Sequence, residues 1–280
     1  MSARKASSVL VRRISESCEV WCISQIVDID GRLSWRTPRA EGQRELINSY
    51  VICNSTHAVL VETGVTEGVD AQMEAIDRVL AGRRLTSVLA TRFEPDCLSN
   101  LGAIVRRYRP DRVYAGGGLS PLDFFDELSM TSHVGPVAAP AEVVPMRPAE
   151  KFELLDGLIA TIRRPVLQVL GTVWLRLEDH GVLFTSDSFS HLPYLAPGSA
   201  ADNVDRYESL DLLRDHYSRR CEWLHNLADP SPVVDDLREA FSEAVLVTAP
   251  SRGEPILGER NVRRSQLRLV EAIASFGATS

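Results

Sequence analysis

Five cysteines, six histidines and a few closely spaced acids and arginines are the side chains of this 280-residue chain best suited to chemistry. Cys18, Cys22, Cys53, Cys97 and Cys221 are odd in number and form no Cys-x-x-Cys pair, so they read as reduced packing thiols rather than a disulfide frame or a zinc site. Cys97 stands apart because Asp96 precedes it directly. It reads as a buried inert thiol, the alternatives being a nucleophile or redox sensor and a metal ligand. His57, His133, His180, His216 and His225 have no spacing that forms a metal motif and are expected at the surface or on helices. Gly116-Gly117-Gly118 is the nearest approach to a phosphate cradle, although no Gly-rich phosphate loop follows a strand.

The elements that must position such groups alternate in type. In the first half, apolar runs starting at Val20, Ser49, Ala58, Ser87 and Arg112 look like buried strands. Polar Asn54-Ser55-Thr56-His57 turns the second into the third as a hairpin. Met73, Ile76, Val79 and Leu80 have helical spacing, and so do Leu101, Ile104, Val105 and Tyr108 before Pro110. Gly116 to Pro148 reads as a long surface excursion with a short helix at Leu122 to Leu128. Strands are then expected at LIATIR, VLQVL, TVWLRL and VLFTSD, the last two joined by Glu178-Asp179-His180-Gly181. Leu210, Leu213, Tyr217 and Leu224 predict one long amphipathic helix, its stripe serving the core or an interface. Val233, Leu237 and Phe241 predict a shorter helix, AVLVTA a strand, and Leu267, Val270, Ile273 and Phe276 a terminal helix.

Two strand-rich halves, each with hairpins and each followed by helices, predict an α/β chain of the αββα type, with two mixed β-sheets face to face and helices outside. A doubly wound parallel sheet fits less well, because hairpins demand antiparallel neighbours. Apolar residues at 44% and charged residues at 25% exclude disorder and coiled-coil rods. A net charge of −7, with no basic cluster interleaved with aromatics, argues against nucleic acid as a partner. No apolar run approaches the roughly 18 residues of a membrane span, and the first residues lack a signal-peptide core, so a cytoplasmic protein is expected.

Ala90-Thr91-Arg92-Phe93-Glu94-Pro95-Asp96-Cys97-Leu98-Ser99-Asn100-Leu101 resembles the metal-binding loop of the metallo-β-lactamase superfamily. It is most similar to the flavodiiron and oxygen-binding diiron branch, where the loop reads H-x-E-P-D-H with N-L following. NSYVICNSTHAVLVETG resembles the first hairpin of that family, VLFTSDSF its strand ending in a metal-bridging Asp, and VTAPSRGEPI its late A-P-S-H-G-P-I segment. The resemblance implies a metallo-β-lactamase-like domain over residues 14–258, after an N-terminal tail at 1–13 and before a C-terminal helix at 259–280 packed on the same domain. It implies no flavodoxin-like domain in this chain, and a head-to-tail homodimer.

Matched residue by residue, the resemblance places Arg92, Cys97, Gln168 and Arg252 where the family has histidine ligands, and keeps Glu94, Asp96 and Asp187. Guanidinium offers no lone pair and stays protonated, so it repels a metal ion. Three carboxylates gathered without a counter-cation would be pushed toward protonation. Arg92 and Arg252 would reduce three negative charges to one, as permanent replacements for two metals. His191 is expected to face solvent, the alternative being a substitute ligand. The resulting expectation is a pseudoenzyme or accessory protein with a vestigial diiron site, without metal or cofactor, that binds a small anionic ligand or a protein partner. The alternative is an oxidoreductase or hydrolase with a single metal on Glu94, Asp96, Cys97 and Asp187, or with a Cys97-based centre.

Overall fold

Side chains alternate along β3 (Arg44–Cys53): Tyr50 and Ile52 enter one buried cluster, Val51 and Cys53 another. A strand with both faces apolar needs cover on both sides. The computed structural model, which describes residues 9–30, 42–116, 141–169, 171–191, 194 and 209–279, supplies that cover with two sheets and two helical layers.

The first sheet is seven-stranded among the described residues, in sequence order: β1 (Val9–Ser15), β2 (Glu19–Asp28), β3, β4 (His57–Val61), β5 (Arg84–Ala90), β6 (Arg112–Ala115) and β7 (Glu142–Pro145). It is antiparallel through β4 and parallel from β4 to β7. The second has six strands: β8 (Lys151–Leu155), β9 (Leu158–Arg163), β10 (Trp174–Leu177), β11 (Val182–Ser186), β12 (Val247–Pro250) and β13 (Ile256–Leu257). Only its β11–β12 pair is parallel. Between the sheets lies a core in which Tyr50 meets Phe184 edge-on, ring centroids 5.2 Å apart. Helices α1 (Val69–Leu80) and α3 (Leu101–Tyr108) cover the first sheet, with the one-turn α2 (Pro95–Leu98) before α3. Helices α4 (Leu210–Arg220), α5 (Ser231–Ala240) and α6 (Glu259–Ala274) cover the second, where buried Trp174 stacks on Phe241 at 5.9 Å. This is the expected αββα sandwich.

Several local expectations are corrected. Residues 9–13, expected in a tail, belong to β1, whose Val9 and Val11 pack on the first sheet's outer cluster. The VLQVL run forms no strand over its described residues, and β7 lies inside the expected excursion. The long helix stops at Arg220: after Cys221 the chain tightens into a 3-10 turn over Glu222–Asn226, which carries Leu224 into the core by a different route. In α6 the buried face is Val262, Leu269, Ala272 and Ile273, leaving Leu267 exposed. Gly117, Gly118, the expected helix at Leu122 to Leu128, and His133 lie outside the described residues.

Candidate functional site: a buried arginine–carboxylate cluster

The chain leaves β4, β5, β11 and β12 at neighbouring strand ends, and these carboxyl ends deliver the polar groups: Glu62, Thr91-Arg92, Ser186-Asp187 and Ser251-Arg252. Open α/β sheets gather ligands at such ends, where side chains from several strands converge. Close packing fixes the frame. A Cβ on Gly116, just after β6, would sit 2.5 Å from the Thr91 carbonyl oxygen, so only glycine allows the two strand ends to approach. Gln25 clamps the loop after β4 by donating to the carbonyls of Val65 (2.8 Å) and Glu67 (2.7 Å). Asn100 donates to Val65 O and to Gln72 Oε1, each at 2.7 Å, which ties that loop to α1 and to the turn carrying Asp96. Glu62 and Ser186 hold positive φ values of 63° and 55°, strained for non-glycine residues and sustained by these surroundings.

Arg92 is wholly buried. Its Nη1 donates to Ser186 Oγ (2.7 Å) and Ser251 Oγ (2.9 Å), its Nη2 donates to Asp96, and its Nε lies 3.1 Å from Glu94 Oε2. Arg252, equally buried, places Nε 3.5 Å from Asp96 Oδ2, and Ser251 Oγ donates to that same oxygen at 3.2 Å. A third guanidinium joins them. Arg220, at the last position of α4, donates through Nη2 to Glu94 (3.1 and 3.3 Å) and to Asp187 Oδ2 (3.0 Å). Three guanidinium groups therefore face Glu94, Asp96 and Asp187, one cation more than the sequence suggested, and wholly buried Glu45 adds a further acid that acts on Arg252.

Burial alone would raise the Asp96 and Asp187 carboxyls, but the surrounding guanidinium groups, Arg92 foremost, hold both below the ordinary aspartate range. Burial likewise opposes charge on Arg92, yet Asp96 and its acidic neighbours raise it well above its usual value. Arg252 is pushed down, by burial first and then by the like charges of Arg92 and Arg220, against Asp96 and Glu45.

Glu62 sits behind this layer. Buried and distant from water, it is raised to about 7, with Arg92 only partly offsetting the desolvation. The Thr91 hydroxyl bonds Glu62 and stands 2.7 Å from Ser186 Oγ, which links Glu62 to Arg92 through two hydroxyls. Cys97 is fully buried beside Glu62. Burial, Asp96 and Glu62 outweigh Arg92 and raise its thiol well above the usual range, so it is protonated and shielded. As a nucleophile or a metal ligand it would have to be a thiolate.

Six of the seven expected site residues, Arg92, Glu94, Asp96, Cys97, Asp187 and Arg252, are brought together. Gln168 is not bonded into the cluster: its described contact is a carbonyl accepting from Trp223 Nε1 at 3.3 Å. His191, expected at the surface, is buried, with its ring edge-on to that of His216 at 6.4 Å. His216 lies on helix α4, as one of its two expected placements has it, and its side chain is buried there. Sequence reasoning missed Arg220, Glu62, Ser186 and Ser251. A carboxylate closing the apolar run Ala58-Val59-Leu60-Val61-Glu62 was a usable signal for a buried acid. Nothing local distinguishes Arg220 from Arg219, which pairs with Asp215 on the exposed side of α4.

The two metals of the family that the sequence resembles need neutral imidazoles or anions aimed at them, and these residues do not fit that demand. Wholly buried guanidinium groups engage the carboxylates, and among the described residues no group of three or more His, Cys, Asp or Glu side chains is placed to hold a metal ion.

No family model matches the sequence, and no curated protein matches it. Its fold is that of the metallo-β-lactamases in the form carried by flavodiiron proteins. A variant of a flavo-di-iron protein from Thermotoga maritima superposes with TM-score 0.69 at 17% identity, covering 96% of this chain and 62% of that one. A fragment of a diflavin flavoprotein from Nostoc gives 0.68 at 16% identity, covering 98% and 97%. A metallo-β-lactamase from Pontibacter korlensis gives 0.55 at 17% identity, covering 94% and 99%. The chain thus spans 62% of the length of the Thermotoga protein. Among the described residues no helix is long and apolar enough to cross a membrane.

Proposed function

We propose that this protein is a pseudoenzyme of the metallo-β-lactamase fold, in which an arginine–carboxylate lattice stands at the family's diiron position and the molecule acts as an accessory protein in the cytoplasm. The observation that carries this reading is the Arg92 guanidinium, wholly buried and bonded to Asp96, Ser186 and Ser251 with Glu94 beside it. A permanent cation there does by charge balance what a metal would do, without a coordination site. Because Glu94, Asp96 and Asp187 match the three guanidinium groups and buried Glu45 adds a further acid beside Arg252, the lattice offers no surplus positive charge to an anion. That favours a protein partner over a small anionic ligand. Five free cysteines agree with a reducing compartment. The head-to-tail homodimer remains part of the proposal, and light scattering at tens of micromolar checks it, a monomer mass removing it. Leu213, Tyr217 and Leu224, however, already pack inside the core.

The deciding experiment is elemental analysis of protein expressed with excess iron or zinc and dialysed against chelator. No stoichiometric metal is expected. One tightly held metal per chain would overturn this reading in favour of an enzyme with a single remodelled metal centre.

A further inference from the structure

At the other end of the strand order, β7 closes the first sheet and β8 the second, and a cavity of about 250 Å³ opens between these two edges, lined by none of the residues of the buried cluster. Its floor is apolar. Tyr114 from β6 and Phe152 from β8 stack on each other, centroids 5.2 Å apart and planes at 28°, and Met146 and Ile162 line the same cavity. Its rim is acidic: Glu142, Glu150 and Glu153 surround it, with Arg112 as the one cation lining it among the described residues. Arg112 Nε lies 3.3 Å from Glu142 Oε2, so that pair is neutralised. Glu153 accepts a hydrogen bond from the Gly157 amide at 2.7 Å, which holds it at the hairpin, and neither it nor Glu150 is paired with a described lysine or arginine. Two carboxylates without a described cationic partner thus line the same cavity as a pair of aromatic rings.

We infer that this cavity binds a small organic cation, a protonated amine on an aromatic or aliphatic body. Each part of the lining recognises one part of such a ligand. The ring faces that the mutual stack leaves open attract a cation, and the apolar lining buries its body. The free carboxylates accept charged N–H donors. An anion meets net negative charge, and a neutral molecule forgoes both electrostatic contributions. The volume falls just below the roughly 300 Å³ at which drug-sized pockets begin, which limits the occupant to a small amine.

The test is isothermal titration of the full chain at neutral pH with three probes of similar shape: phenethylammonium, 2-phenylethanol and hydrocinnamate. Saturable binding is expected for the ammonium, with the alcohol at least roughly tenfold weaker and the carboxylate weaker still. Replacing the two acids without a described cationic partner, Glu150→Gln with Glu153→Gln, should weaken the ammonium about tenfold while leaving the alcohol unchanged, and circular dichroism should show the fold intact. Phe152→Ala should weaken both. Absence of saturable ammonium binding at tens of millimolar, equal affinity for ammonium and alcohol, or an unchanged ammonium affinity in the double variant would overturn the inference.

Discussion

A guanidinium buried among carboxylates adds little or no net stability relative to an apolar packing of the same shape, but removing it alone strands charges that can no longer reach water. Arg92 is the sharpest case, since its loss leaves Asp96 mainly to Arg252 and Ser251, and removes one donor from each of Ser186 and Ser251. Arg92→Ala should therefore lower unfolding free energy by roughly 3–5 kcal/mol, the range for breaking a buried pair. Arg220 is slightly exposed, so water can reach its abandoned carboxylates. Arg220→Ala should be milder, on the order of 2 kcal/mol. Urea unfolding of both variants checks the ranking; equal, negligible losses would mean that the arginines do not serve as counter-cations. Cys97 follows from the same chemistry in the opposite sense. Its thiol is buried and held protonated, so iodoacetamide at neutral pH should label half-buried Cys18 first and Cys97 only after unfolding. Rapid native-state labelling of Cys97, lost in Cys97→Ser, would restore the metal-free nucleophile.

At the scale of elements, the site depends on how closely strand ends approach. Gly116 follows β6 and presses on the Thr91 carbonyl, which in turn accepts the Val173 amide at 3.0 Å. Gly116→Ala forces one of these backbones aside, and a loss of roughly 2 kcal/mol is expected from overpacking alone. Thermal unfolding measures it; an unchanged melting temperature would show that the loop after β5 yields freely. The strands that carry the site were legible because they obey short-range rules. The Asn54 to His57 turn between two apolar runs specifies a hairpin, and β3 and β4 pair through Tyr50↔Val61 as it requires. The Arg92 to Cys97 loop was legible through resemblance, since its order of residues survives although its ligands do not. What escaped was set by long-range contact. Val9 to Ser15 is a strand because β2 offers an unpaired edge, which the first residues do not announce. Residues 166–169 have strand composition but are tied elsewhere, with the Val166 amide bonded to Asp236 at 2.8 Å and Gln168 to Trp223. Arg220 reaches the cluster only because α4 ends where the chain breaks at Cys221, and a continuous amphipathic pattern hid that break.

Across the whole molecule, the buried acids set a pH dependence in which two kinds of carboxyl act in opposite directions. Asp96 and Asp187 are held below the ordinary aspartate value by guanidinium groups, despite burial. Their folded values lie below the unfolded one, so their contribution is complete above about pH 4 and is lost as pH falls further, when the unfolded chain takes up protons first. Glu62 behaves oppositely, because burial raises it from 4.5 to about 7 in the folded protein. Between those values only the folded state keeps the proton, so stability declines as pH rises through that window and levels off above it. The decline amounts to on the order of 3 kcal/mol for one fully buried group. Together the three acids place the stability maximum on the acid side of neutrality, near the lower end of the Glu62 window. Imidazoles titrate over the same range, and His191 and His216 are buried, so the wild-type slope does not isolate Glu62. The difference between wild type and Glu62→Gln does. Gln keeps the shape and the bond to Thr91 but cannot ionise, so its stability should stay nearly level between pH 5 and 8 where the wild type falls, while the loss below pH 4 persists in both. Urea midpoints measured across that range decide it: parallel curves for the two proteins would show that Glu62 is ionised in the fold and that Arg92 has overcome its burial.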